Sequence, residues 1–151
     1  MRKFSLGFAA LAIVAVTASV ALADDMMSSK GNTFPFNPMS QSGQKGTVTV
    51  MSVAPSACQK TTPSATACTK VVIALTGEPE GAVQPAHIHK GDCAHPGAVI
   101  IPLTDVVGGA SVTLVPKPIS DVLITGDSVN THKSASQLNI YMACADFKMA
   151  H

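Results

Sequence analysis

Tryptophan is absent from the 151 residues, tyrosine occurs once, and the only arginine is Arg2. Without a basic surface or interleaved aromatics, the chain has no footprint for nucleic acid or for an anionic membrane. No long segment repeats its apolar residues every 3.6 positions, and no internal repeat is present, so a helical architecture has no support in the sequence. What remains is a chain rich in Val, Ile, Ala and Leu, punctuated by 11 glycines and 10 prolines, the composition of short strands between many turns.

The N-terminus reads MRKFSLGFAALAIVAVTASVALADD. Arg2 and Lys3 form a positive region, an apolar run follows, and Ala21-Leu22-Ala23 is an A-x-A cleavage site, so residues 1–23 read as a secretory signal peptide. The run is short for a transmembrane anchor, and no membrane anchor is expected after cleavage. The expected mature chain starts at Asp24 and carries eight lysines against nine acidic residues, a near-neutral balance. It is long enough for one domain with its own core. The expected location is periplasmic or secreted. Four cysteines in an exported chain suggest two disulfides, with three connectivities open.

Residues 24–45, opening DDMMSSKGNTFPFNPMSQSGQ, are polar and rich in Pro, Gly and Ser, and read as a flexible N-terminal segment. Its Met26, Met27 and Met39 could ligate cuprous ion through sulfur, but scattered linker methionines are the simpler reading. From Gly46 to His151 the pattern becomes that of a β domain. Residues 46–53 alternate, 69–75 less strictly, and further strands are expected over 82–89, 98–103, 110–116, 128–132 and 137–144. Gly108-Gly109 and Gly126-Asp127 mark turns, and residues 119–125 suit one helical turn with Ser120 as its N-cap. A polar loop with Cys58 and Cys68 at its ends is suited to a local disulfide. About seven to eight short strands point to an all-β Greek-key barrel or sandwich.

Function concentrates in QPAHIHKGDCAHPG, residues 84–97, which gathers His87, His89, Cys93 and His95. Histidine is the commonest metal ligand among side chains. On a strand, His87 and His89 leave the same face, about 6.5 Å apart along the backbone, and Ile88 points the other way into the core. Two imidazoles so placed can converge on one metal ion; two solvent-facing histidines are the alternative. A nucleophilic Cys93 activated by His89 or His95 is a further reading, weakened because an exported cysteine of an even set is oxidised.

Pro85-Ala86-His87-Ile88-His89 followed by Gly91-Asp92-Cys93 resembles the metal-loop entry of copper/zinc superoxide dismutases. There, a strand ends in a copper-binding His-x-His, and a cysteine soon after is bonded to one in the last strand, in an Ala-Cys-Gly sequence. Tyr141-Met142-Ala143-Cys144-Ala145-Asp146 is similar to that strand, with Ala for Gly. The resemblance covers roughly residues 45–147. It implies a Cys93–Cys144 disulfide, leaving Cys58 to Cys68, and a later copper-ligand histidine, for which Asn130-Thr131-His132-Lys133-Ser134 is suitably placed. Secreted CHRD-type domains also carry a His-x-His strand, but they do not account for the Cys93 and Cys144 pair.

The departures from that family narrow the expectation. A dinuclear copper/zinc site uses six histidines and an aspartate, and this chain has five histidines, one of them His151. The zinc-binding loop is compressed into HPGAVIIPL, so zinc is not expected, and His95 is either a fourth copper ligand or a turn residue. Tyr141 stands where the family has the arginine that draws in superoxide, leaving Lys133 and Lys90 as the nearby cations for anion steering. The expected protein is an exported copper binder holding one ion at His87, His89 and His132, with copper handling as its role. A copper-only dismutase acting on superoxide and a structural secreted domain with vestigial histidines are the alternatives.

Overall fold

The computed structural model describes residues 30–148. The expected signal peptide, Met26, Met27 and His151 lie outside the described residues. Eight antiparallel strands form a closed barrel: β1 (Asn32–Pro38), β2 (Lys45–Val53), β3 (Cys68–Thr76), β4 (Val83–His89), β5 (Val99–Val107), β6 (Ala110–Val115), β7 (Ser128–His132) and β8 (Tyr141–Asp146). Their order around the barrel is β1-β2-β3-β6-β5-β4-β7-β8, with β1 returning to β8. Strands β4 to β6 run as a meander and β7 comes back beside β4, which is the Greek-key connection.

Alternation explains which face each strand buries. Val48 and Val50 of β2, Val71 and Ile73 of β3, Ile88 of β4 and Val129 of β7 all point into the core, and each is 1% exposed or less. Gly108 and Gly109 both take positive φ, as the two-residue turn between β5 and β6 requires. At the start of β2, a Cβ on Gly46 would collide with the backbone oxygen of Ala74 on β3, so only glycine lets these strands pair there.

Several expectations need correction. The segment read as flexible contains β1, which closes the barrel: Phe34 and Phe36 are buried, and Phe34 packs on Phe147 with ring centroids 5.1 Å apart. Its prolines hid it, yet Pro35 lies where β1 pairs with β2 but not yet with β8, an edge-like position that tolerates a missing N–H. The polar loop after β2 contains a short helix, α1 (Pro55–Gln59), begun by its proline. The expected helical turn shrinks to a 3-10 turn, Ile119–Asp121, with Pro118 rather than Ser120 at the N-cap position and no side-chain cap. Finally, β8 starts at Tyr141 and not at 137, because residues 133–140 form a loop closed by a hydrogen bond from the Lys133 N–H to the Ile140 carbonyl (2.9 Å).

Both disulfides are formed. Cys58–Cys68 ties α1 to the start of β3, and Cys93–Cys144 ties the loop after β4 to β8. Two such bonds suit an oxidising compartment. Among the described residues, no helix is long and apolar enough to cross a membrane.

Candidate metal centre

The site lies on the outer wall of the barrel. Ile88 occupies the core, so His87 and His89 leave the opposite face of β4, and β7 pairs alongside with His87 opposite Asn130 and His89 opposite Ser128. His132 ends β7. Two register shifts set the rings: one falls between Ile88 and His89 in the β4–β5 ladder, the other between Thr131 and His132 in the β7–β8 ladder. Such bulges re-aim side chains that a regular ladder would send elsewhere.

Three imidazoles therefore meet. One nitrogen from each of His87, His89 and His132 lies within 4.8 Å of the other two, and the ring centroids are 4.8 to 5.8 Å apart. His89 and His132 are buried, at 3% and 2% exposure, and His87 is half-buried. Of the three rings, His87 is the most exposed. The half-buried ring of Tyr141 covers the other two, with centroids 5.0 Å from His132 and 5.9 Å from His89.

Hydrogen bonds select the tautomers. A carbonyl only accepts, so the His132 Nδ1–H donates to the Leu138 carbonyl (2.6 Å) and the His89 Nδ1–H donates to the Gly97 carbonyl (3.0 Å). Each neutral ring then has a bare Nε2. That of His132 accepts from His87 Nδ1 at 2.9 Å, whereas that of His89 is buried with no hydrogen-bond partner among the described residues. A buried acceptor left without a donor is costly. A cation shared with the neighbouring nitrogens would satisfy it, so the three side chains fit a metal ion, with His89 Nε2 and His132 Nε2 as donors and His87 Nδ1 as the third once its ring moves the proton it shares with His132 to its own Nε2. Backbone carbonyls fixing the far nitrogen of each ligand are a usual companion of such sites.

Burial, and then the charge of neighbouring His89, holds the His87 ring below its ordinary pKa, with Asp105 acting in the opposite sense. For His132, burial dominates, the hydrogen bond to Leu138 opposes it, and His87 and His89 add to the lowering. Both rings thus stay neutral, and able to ligate, to lower pH than a free histidine. The same shifts make the metal-free fold pH-sensitive. The unfolded chain binds more protons, so stability is full above the ordinary histidine pKa of about 6.5 and falls as pH drops below it towards the folded values. The urea midpoint of the metal-free protein is expected to fall between pH 7.5 and 5, and His87→Gln/His132→Gln to flatten that dependence. An equal fall in the double variant would assign the effect to other groups.

The remaining sequence candidates are not brought to this point. His95 is an exposed turn residue, its Nδ1 3.4 Å from Asp92 Oδ1, and it is not a fourth member of the group. Cys93 and Cys144, grouped with Asp146, have their sulfurs bonded to each other and offer no thiolate. Lys90 reaches Asp127 (3.6 Å), and Lys133 is exposed; among the described residues neither ammonium is bonded to the three rings. The sequence reading missed the Gly97 and Leu138 carbonyls and the contact of Tyr141 with His89 and His132. The His-Pro-Gly turn was a faint signal for the first; nothing in the sequence marked the second. Comparison of the chain with protein-family models, curated proteins and solved structures finds no match.

Proposed function

We propose that this protein is an exported copper-binding protein that holds one ion at His87, His89 and His132 and serves copper handling in the periplasm or outside the cell. The observation that carries this reading is the buried, unpartnered Nε2 of His89 beside the bare Nε2 of His132. The donor set is all imidazole, and divalent copper lies above zinc in affinity for a given nitrogen site. The superoxide dismutase resemblance, with its Cys93 to Cys144 bond, points to the same metal.

Handling is favoured over dismutation by the charges. Superoxide is an anion, and rapid turnover needs a steering cation. Lys90 is paired with Asp127, and Tyr141 stands where the resembling family has its arginine, so no fixed cation faces the three rings among the described residues. Metal analysis of protein taken from its own compartment is expected to give one copper per chain and no stoichiometric zinc. The copper-loaded protein should dismute superoxide no faster than small copper complexes, and Lys133→Ala should change nothing. Fast dismutation that falls with ionic strength and with Lys133→Ala would make it a copper-only dismutase. Failure to bind copper or zinc would leave a structural secreted domain.

A further inference from the structure

His89 keeps its bare nitrogen only while the Gly97 carbonyl stays opposite Nδ1. Gly97 is the far end of a loop that leaves β4 at Lys90; it is exposed, between half-buried Pro96 and exposed Ala98. Something must hold that loop at a fixed distance from the strand. Two backbone bonds zip its ends, from the Lys90 N–H to the Ala98 carbonyl (2.9 Å) and from the Gly97 N–H to the Lys90 carbonyl (2.6 Å). The zip depends on the direction the chain takes at Gly91. There φ is +87°, and a Cβ would lie 2.5 Å from the His95 carbonyl oxygen.

Gly91 is gripped at both of its backbone polar groups by the first residue of β7 and the residue before it. Its N–H donates to Asp127 Oδ1 (3.2 Å), and its carbonyl accepts from the Ser128 hydroxyl (2.9 Å). Asp127 is itself immobilised: it is 1% exposed, its N–H donates to the Ile124 carbonyl, and its carbonyl accepts from the Phe147 N–H. Burying a carboxylate that, among the described residues, has no partner for its Oδ2 and pairs only with a lysine 67% exposed is unfavourable for stability alone.

We propose that Asp127 and Ser128 are positioning residues for His89: by clamping Gly91 they hold the Gly97 carbonyl at His89 Nδ1 and so present Nε2 to the metal. The proposal rests on reading the three histidines as a metal centre, and its test separates the two. In ¹⁵N NMR of the metal-free protein, His89 should be a single Nδ1–H tautomer. Asp127→Ala should shift it towards the Nε2–H form that free histidine prefers, and should weaken Cu(II) binding about 10- to 100-fold. Asp127→Asn keeps an oxygen to accept from Gly91 and should restore both. A folded Asp127→Ala protein with an unchanged tautomer overturns the proposal. If that variant does not fold, Ser128→Ala decides: a shifted tautomer supports the clamp, an unchanged one refutes it. A clamp that controls the tautomer in a wild-type protein that takes no Cu(II) would leave the positioning role standing and remove the metal reading.

Discussion

His132→Ala is expected to bind Cu(II) about a thousandfold more weakly than wild type, taking one of three ligands as a third of a total on the scale of the roughly 10–16 kcal/mol known for structural zinc in zinc-finger peptides. His132 is the hinge of the group. Its Nε2 is the nitrogen nearest His87, and its Nδ1 is fixed by the Leu138 carbonyl. Truncation removes a donor atom and also leaves that carbonyl without its partner, so folding of the variant should be checked by far-UV circular dichroism. His87→Ala, at a half-buried ring, should reproduce the loss of affinity with less damage to the fold. His95→Ala is the control, because that ring is exposed and points at Asp92. Competition with a chromogenic chelator measures all three. Wild-type affinity in both His87→Ala and His132→Ala would sink the three-histidine site.

The second large effect concerns the disulfides. Cys93–Cys144 closes a loop of 51 residues and Cys58–Cys68 one of 10. If constraint of the unfolded chain dominates, removing the first should cost about 4 kcal/mol and removing the second about 3 kcal/mol. The gap should widen beyond that, because only the longer bridge pins the segment that supplies the Gly97 carbonyl, helped by the Cys93 N–H bond to Asp146 Oδ1 (2.7 Å). Urea unfolding of Cys93→Ala/Cys144→Ala and of Cys58→Ala/Cys68→Ala measures the two costs. A smaller loss for the Cys93/Cys144 pair would contradict the loop-closure account.

Much of this molecule was legible in the residues, for reasons that also explain what was not. Alternation in Thr47-Val48-Thr49-Val50 and the spacing of His87 and His89 are local signals, and a strand converts them directly into faces. The Cys93–Cys144 bond and the place of His132 were reached through family resemblance, since 45 residues separate His132 from His87. β1 was missed because Phe34 and Phe36 alternate inside a proline-rich context whose composition suggested no order. Leu138 was read as part of a strand. Its contribution is a backbone carbonyl, which every residue has, so no side-chain pattern could reveal it. His95 was a candidate because it lies in the His-rich stretch and stands nearest to the bridging histidine of the resembling family, and the Asp92 turn directs it outward.

The closure of the barrel by β1 against β8 has a temporal consequence. β8 contributes the seam for β1, the flank of β7, Cys144 and Tyr141, so neither the closed barrel nor the walled histidine pocket can exist until that strand has joined. Such long-range pairings also form late and slowly, since distant segments must first be brought together. A chain that has not yet placed β8 therefore has His87 and His89 without His132 walled in beside them. If the three rings hold an ion as proposed, the choice of that ion falls to the surroundings in which folding is completed.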